Sequence, residues 1–250
     1  MYLLDRYMNI SHINHIDSNQ KTISKTLNNN NYLKNYTKAQ HKMTNMLKAF
    51  VYICRKYDIT YWCSDETFVG ATRNCRWLPF SNEVSISMIF SDYMKFKMKS
   101  NEMPETMWIQ DVVSDSRHKS IIYKIRDKNS CYLEEIDSDS HNGLCINIYI
   151  YEINNDKIQT FKNLGDKFMK PGNCYRDWDY TTIFPLKHWK FEGLPIYIPN
   201  DVVKYSKTIW AEYPPISLMV KNPLTDIDPD NASDKCKTLY NHLYPAKKTS

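Results

Sequence analysis

The sequence predicts an α/β (α+β) domain on three observations. Its 250 residues are 42% hydrophobic, enough to bury a sizeable core in one compact unit. Apolar residues recur at three- and four-residue intervals from Thr37 to Tyr57, the signature of an amphipathic helix. Beyond it, short β-branched and aromatic runs alternate with further helical stretches, which is the order of a layered mixed domain.

Each element follows in turn. Met43, Met46, Leu47, Phe50, Ile53, Cys54 and Tyr57 form the apolar stripe of the first helix, capped at Asn35 or Thr37. YWC at 61–63 is a short strand, Thr67 to Arg73 a short helix, and VSISM at 84–88 an alternating strand, followed by a helix around Asp92–Met98. Three more strands are expected between Trp108 and Val113, Ile121 and Arg126, and Leu144 and Ile153. The segment from Asn155 to Met169 reads as a helix stopped by Pro171-Gly172. WKFEGLPIYI is strand-like and is followed by a helix from about Asp201 to Tyr213. Residues 1–36, which include the NNNN tract at 28–31, read as a polar arm; 37–221 form the domain; 222–250, rich in Pro, Asp, Ser and Lys, read as a polar tail.

Composition excludes several function classes. The net charge of +5 carries no long basic run, so no nucleic-acid partner is expected. Seven cysteines without a C-x-x-C pair suit buried free thiols in a reducing compartment better than zinc or disulfides. No segment approaches the roughly 18 apolar residues of a membrane span, and the first residues lack the pattern of a signal peptide. A cytoplasmic protein is the expectation. Asp226, Asp228 and Asp230 begin like a calcium loop, but Asn231 and Lys237 stand where that loop needs glycine and glutamate.

The chemistry concentrates in GATRNCRWLPFSNEVSISM, residues 70–88. Side chains at i and i+2 of a strand share a face, so Glu83 and Ser85 point the same way. Two carboxylates at that spacing, with a third from a neighbouring strand, would clamp a divalent metal around a nucleotide's phosphates. Here the pattern keeps its shape and lacks most of its acids.

The stretch ETFVGATRNCRWLPFSNEVSISM resembles the hallmark of the LicD/fukutin family, GTLLGxxRxxxxIPWDDDIDIxM. SDY at 91–93, KIRDKNS at 124–130, GLCINIY at 143–149 and IFPLKHWKFEGLPIYIP at 183–199 extend the resemblance in order, over about residues 40–215. It implies a nucleotidyltransferase-like fold, a mixed sheet flanked by helices, and transfer of a phosphorylated group, such as phosphocholine or ribitol phosphate, from a cytidine nucleotide to a glycan. A nucleotide-linked donor and a glycan acceptor are the partners it implies, with Mg²⁺ or Mn²⁺ as cofactor if the site is active. It places the catalytic carboxylates at Glu83, Ser85 and Asn147, of which only Glu83 is an acid, so metal is expected to bind at Glu83 weakly or not at all. The nucleotide or phosphate would lie against Glu66, Thr67, Gly70, Arg73 and Arg126. Glu66 stands in place of the turn glycine that lets backbone approach a phosphate. Arg73 and Arg126 can equally pair with Asp92, Asp127 or Glu83, and His188 beside Trp189 reads as a packed residue.

The expectation is a catalytically degenerate member of this family, acting in binding or structure. The alternative is an active phosphotransferase with a rebuilt metal site of Asp65, Glu66 and Glu83.

Overall fold

The computed structural model describes residues 30–78, 81–118, 120–133, 140–161, 176–210 and 227–244. The chain divides into two units, Met1–Lys34 and Asn35–Ser250; apart from the first residues of α1, the features below belong to the second.

Helix α1 (Asn30–Lys56) buries Met43, Met46, Leu47, Phe50, Ile53 and Cys54, the stripe expected from the sequence, but it begins seven residues earlier than Thr37. Strand β1 (Trp62–Cys63) leads into helix α2 (Asp65–Asn74), which ends at Cys75 in the left-handed conformation, φ 57°. Strand β2 (Val84–Ile89) and helix α3 (Phe90–Met98) follow as expected. Next come β3 (Met107–Gln110), β4 (Tyr123–Asp127), β5 (Cys131–Tyr132) and the ten-residue β6 (Cys145–Asn154).

The helix expected over 155–169 is overturned where the residues are described. Asn155 and Asp156, both at positive φ, make a two-residue turn, and β7 (Lys157–Thr160) pairs back on β6. Such turns match the twist of the strands they join. Residues 162–175, with Pro171-Gly172, lie outside the described residues.

After β8 (Asp177–Asp179) and the single turn α4 (Tyr180–Ile183), WKFEGLPIYI forms a hairpin rather than one strand: β9 (Lys187–Phe191) and β10 (Leu194–Ile198). Its turn, Glu192-Gly193, again has positive φ at both positions. Helix α5 (Val202–Trp210) closes this part.

The segment expected as a polar tail is partly built in. β11 (Ile227–Asp228) pairs with β5, and α6 (Asp234–Leu239) starts from Ser233, whose Oγ accepts from the Cys236 amide at 3.2 Å. Cys236 and Tyr240 are buried against Trp108. Asp228 Oδ1 accepts from the amides of Asp230 and Asn231, so this carboxylate shapes a local turn.

The main sheet runs β1-β2-β6-β4-β3, with β7 and β8 continuing from the far half of β6. β2 and β6 are parallel; the other pairs are antiparallel. This is the mixed sheet flanked by helices that the sequence predicts. Alternation gives the sheet two different faces. Val84, Ile86, Met88, Ile146, Ile148 and Ile150 make one apolar and fully buried face. Ser85, Ser87, Asn147, Tyr149 and Tyr151 lie on the other, where Trp62, Tyr151, Trp178 and Tyr205 pack ring against ring.

Five of the six described cysteines are buried free thiols and Cys75 is exposed. Burial alone pushes the Cys63 thiol up, as it chiefly does for Cys54, which keeps both unreactive. Among the described residues no helix is long and apolar enough to cross a membrane.

Candidate functional site

The polar face of the sheet is where α2 meets β2. Ser64 donates its amide to the Ser85 carbonyl at 3.0 Å, and the Ser85 amide donates to Thr67 Oγ1 at 2.9 Å. Both backbone groups of Ser85 are thereby tied to the start of α2. Thr67, given a phosphate role from the sequence, acts here as the rivet between helix and strand.

Strand register then assembles a row. Ser85 lies opposite Asn147 in the parallel pair, and Lys124 lies opposite Asn147 on the other side. Two positions 62 residues apart in sequence, singled out because the resemblance made them catalytic, are therefore neighbours. The Lys124 ammonium donates to Asn147 Oδ1 at 3.0 Å and reaches Cys145 Sγ at 3.7 Å. Ser85 is wholly buried, and its Oγ has no hydrogen-bond partner among the described residues. Glu83 stands half-buried just before β2.

The next pair along is Ser87 and Tyr149. Over the Tyr149 ring, 5.0 Å from its centre, sits the Arg176 guanidinium. Arg176 Nη2 donates to Asp65 Oδ1 at 2.9 Å, a pair in which each side chain is 15% exposed. Its Nη1 is buried without a partner among the described residues. Burial first, then the Asp65 carboxylate, push the Tyr149 hydroxyl up, so it stays protonated.

The first turn of α2 carries its own anions. Glu66 is buried, and its Oε2 accepts from Ser81 Oγ at 2.6 Å. Asp65 and Glu66 complement the positive end of the helix dipole, the place a phosphate would otherwise take.

The remaining candidates are dispersed. Arg126 is buried and donates from Nε to Gln110 Oε1 at 2.8 Å and from Nη1 to the Gly143 carbonyl at 2.6 Å, both internal to the fold. Arg73 is exposed in the last turn of α2, eight residues or about 12 Å of helix axis from Asp65. A Cβ at Gly70 would fall 2.4 Å from the Arg76 carbonyl oxygen, so this glycine permits a close backbone approach within the scaffold. Lys124 and Arg176 were not singled out in the sequence. Lys124 was legible as part of KIRDKNS, whereas nothing around Arg176 marks it.

These residues do not fit a hard divalent cation. Such ions take charged oxygens, and here one carboxylate adjoins a buried hydroxyl and an amide oxygen already held by an ammonium. No cluster of three His, Cys, Asp or Glu with metal-ligand geometry occurs among the described residues. Asp65 and Glu66, two of the three acids of the alternative site, are engaged by Arg176 and Ser81.

A mixed sheet flanked by helices thus carries a polar row at the junction of α2, β2 and β6. Residues 58–201, more than half of the chain, match the family model described as LicD/FKTN/FKRP, nucleotidyltransferase domain, and the chain belongs to that family. An uncharacterized protein of Rickettsia prowazekii (strain Madrid E) is 25% identical over 149 residues, 59% of this chain and 46% of the relative. The chain thus spans about half the length of that curated relative.

Proposed function

We propose that this protein is a catalytically degenerate LicD-family domain that binds rather than transfers. One observation carries the reading: at two of the three positions where the family resemblance requires metal-binding carboxylates stand Ser85 and Asn147, and the Asn147 oxygen is held by Lys124. Family membership supplies the phosphotransferase-like chemistry from which the domain departs. Its ligands under this reading are a cytidine-nucleotide-linked donor and, through it, a glycan, met in the cytoplasm. Without a dication, charge developing on the transferred phosphoryl group loses its main electrostatic stabiliser.

The test is transfer itself. Protein supplied with a CDP-linked donor, a glycan acceptor and Mg²⁺ or Mn²⁺ is expected to release no CMP above background. Release that disappears in Glu83→Gln would instead establish the rebuilt-site alternative. Ser85→Asp combined with Asn147→Asp is expected to bind Mn²⁺ at least about tenfold more tightly than the unmodified chain, read by electron paramagnetic resonance. Equal affinity would detach the missing acids from the loss of metal.

A further inference from the structure

The polar face holds more donors than its own residues satisfy. Arg176 uses Nη2 on Asp65 and leaves Nη1 buried and unpaired among the described residues. Ser85 Oγ is in the same condition at zero exposure. Lys124 is half-buried with one proton on Asn147 Oδ1 and another toward the weak acceptor Cys145 Sγ, and an ammonium has three to give. An unpaired buried donor costs about 1–3 kcal/mol, so a group that satisfies several at once is favoured there.

Two of these donors, Lys124 and Arg176, carry positive charge, and their placement is regular. Lys124 flanks Asn147 and Arg176 lies over Tyr149, two residues further along the same strand and on the same face. A rise of about 3.3 Å per residue separates those stations by roughly 7 Å. The matching ligand is rich in acceptors, anionic and small, which describes a phosphate or diphosphate. The helix end cannot serve such an anion, because Asp65 and Glu66 fill its first turn.

We propose that Lys124, Arg176 and Ser85 form a phosphate-binding cradle that works with fixed side-chain cations and needs no divalent metal. The proposal rests on the reading that this site has lost its metal carboxylates, and it adds the ligand class the altered site takes. Asp65 orients Arg176, while Glu83 borders the row and opposes an incoming anion; salt screens the attraction of Lys124 and Arg176 for that anion, so binding through these two cations weakens as salt rises. Lys124 contributes charge-assisted hydrogen bonds that a neutral side chain cannot replace.

Calorimetric titration with pyrophosphate and with CDP, in EDTA and then in Mg²⁺, tests this on the full chain. The unmodified protein is expected to bind at least one of them in EDTA, with affinity changed less than about twofold by Mg²⁺. Lys124→Gln is expected to bind about tenfold more weakly, and Lys124→Arg to recover most of the loss. Lys124 is half-buried at the site and not in the apolar core, and thermal unfolding of each variant checks that the fold survives. No heat from either anion in EDTA, binding only with Mg²⁺, or full affinity in Lys124→Gln overturns the cradle. Absence of binding removes the cradle and CDP as its ligand but leaves the loss of transfer standing, whereas CMP release in the transfer assay overturns that loss whatever the titrations show.

Discussion

Gly143→Ala is expected to destabilise the domain by at least about 3 kcal/mol, seen as a lower urea midpoint at unchanged slope. A Cβ at residue 143 would sit 2.0 Å from the Asp127 carbonyl oxygen and 2.8 Å from His141 Cε1. Neither segment can give way. The Asp127 amide donates to the Leu144 carbonyl at 2.8 Å, the Gly143 carbonyl holds Arg126, and the Gly143 amide donates to His141 Nδ1 at 3.1 Å. Gly193 provides the control. It has positive φ, 77°, but open space around its Cβ position, so Gly193→Ala is expected to cost only about 1 kcal/mol. Equal losses at the two glycines would refute the steric account.

Stability is expected to fall by about 1.4 kcal/mol per pH unit as pH drops below 6.5, and the proton responsible belongs to His141. This imidazole is fully buried, and burial first, then the Arg126 charge, push its pKa down to about 3. The folded state therefore keeps it neutral where the unfolded chain protonates it. Its contribution is complete above pH 6.5 and is lost progressively as pH falls toward 3. Lys128 acts in the same direction as Arg126, and Asp115 opposes both. Asp111 acts in a separate window. Burial raises its pKa, but hydrogen bonds from Lys97 and Tyr93 outweigh that and bring it to about 2, so its effect begins only below about 3.8. Denaturation of His141→Phe from pH 7 to 4 checks the assignment. The variant gives up the Nδ1 acceptor and starts less stable, yet its slope is expected to flatten; an unchanged slope would move the acid sensitivity to another group, with His118 next, its pKa also lowered by burial.

Local pattern made most elements legible, because the stripe of α1 and the alternation of VSISM are each written within a few residues. The turn at Asn155-Asp156 was also written there, as an Asn-Asp pair between strand-like runs. It was overridden by Ile158, Phe161, Leu164 and Phe168, whose spacing imitates a helix. Ala232, Cys236 and Tyr240 repeat every four residues inside a polar, proline-containing stretch, a buried-helix signal that composition masked. The site was half legible. Ser85 and Asn147 were found through motifs, while the partners that define their chemistry come from register and topology: Lys124 faces Asn147 only because β4 pairs with β6, and Arg176 reaches Asp65 across 111 residues of sequence. Arg126 illustrates the reverse case, a motif arginine whose Nε and Nη1 are engaged within the scaffold.

The Tyr240 hydroxyl donates to Asp115 Oδ2 at 2.8 Å and accepts from the His141 amide at 3.0 Å, joining positions 125 and 99 residues apart. Asp115 in turn accepts from Gln110, which holds Arg126. During translation at about 5–20 residues per second, Tyr240 leaves the ribosome on the order of ten seconds after Asp115. Through that interval the nascent chain carries the Asp115–Gln110–Arg126 network and the Trp108 surface without the helix that covers them. This domain completes its fold only after most of it has been synthesised, because the residues that cover Trp108 are among the last to be made.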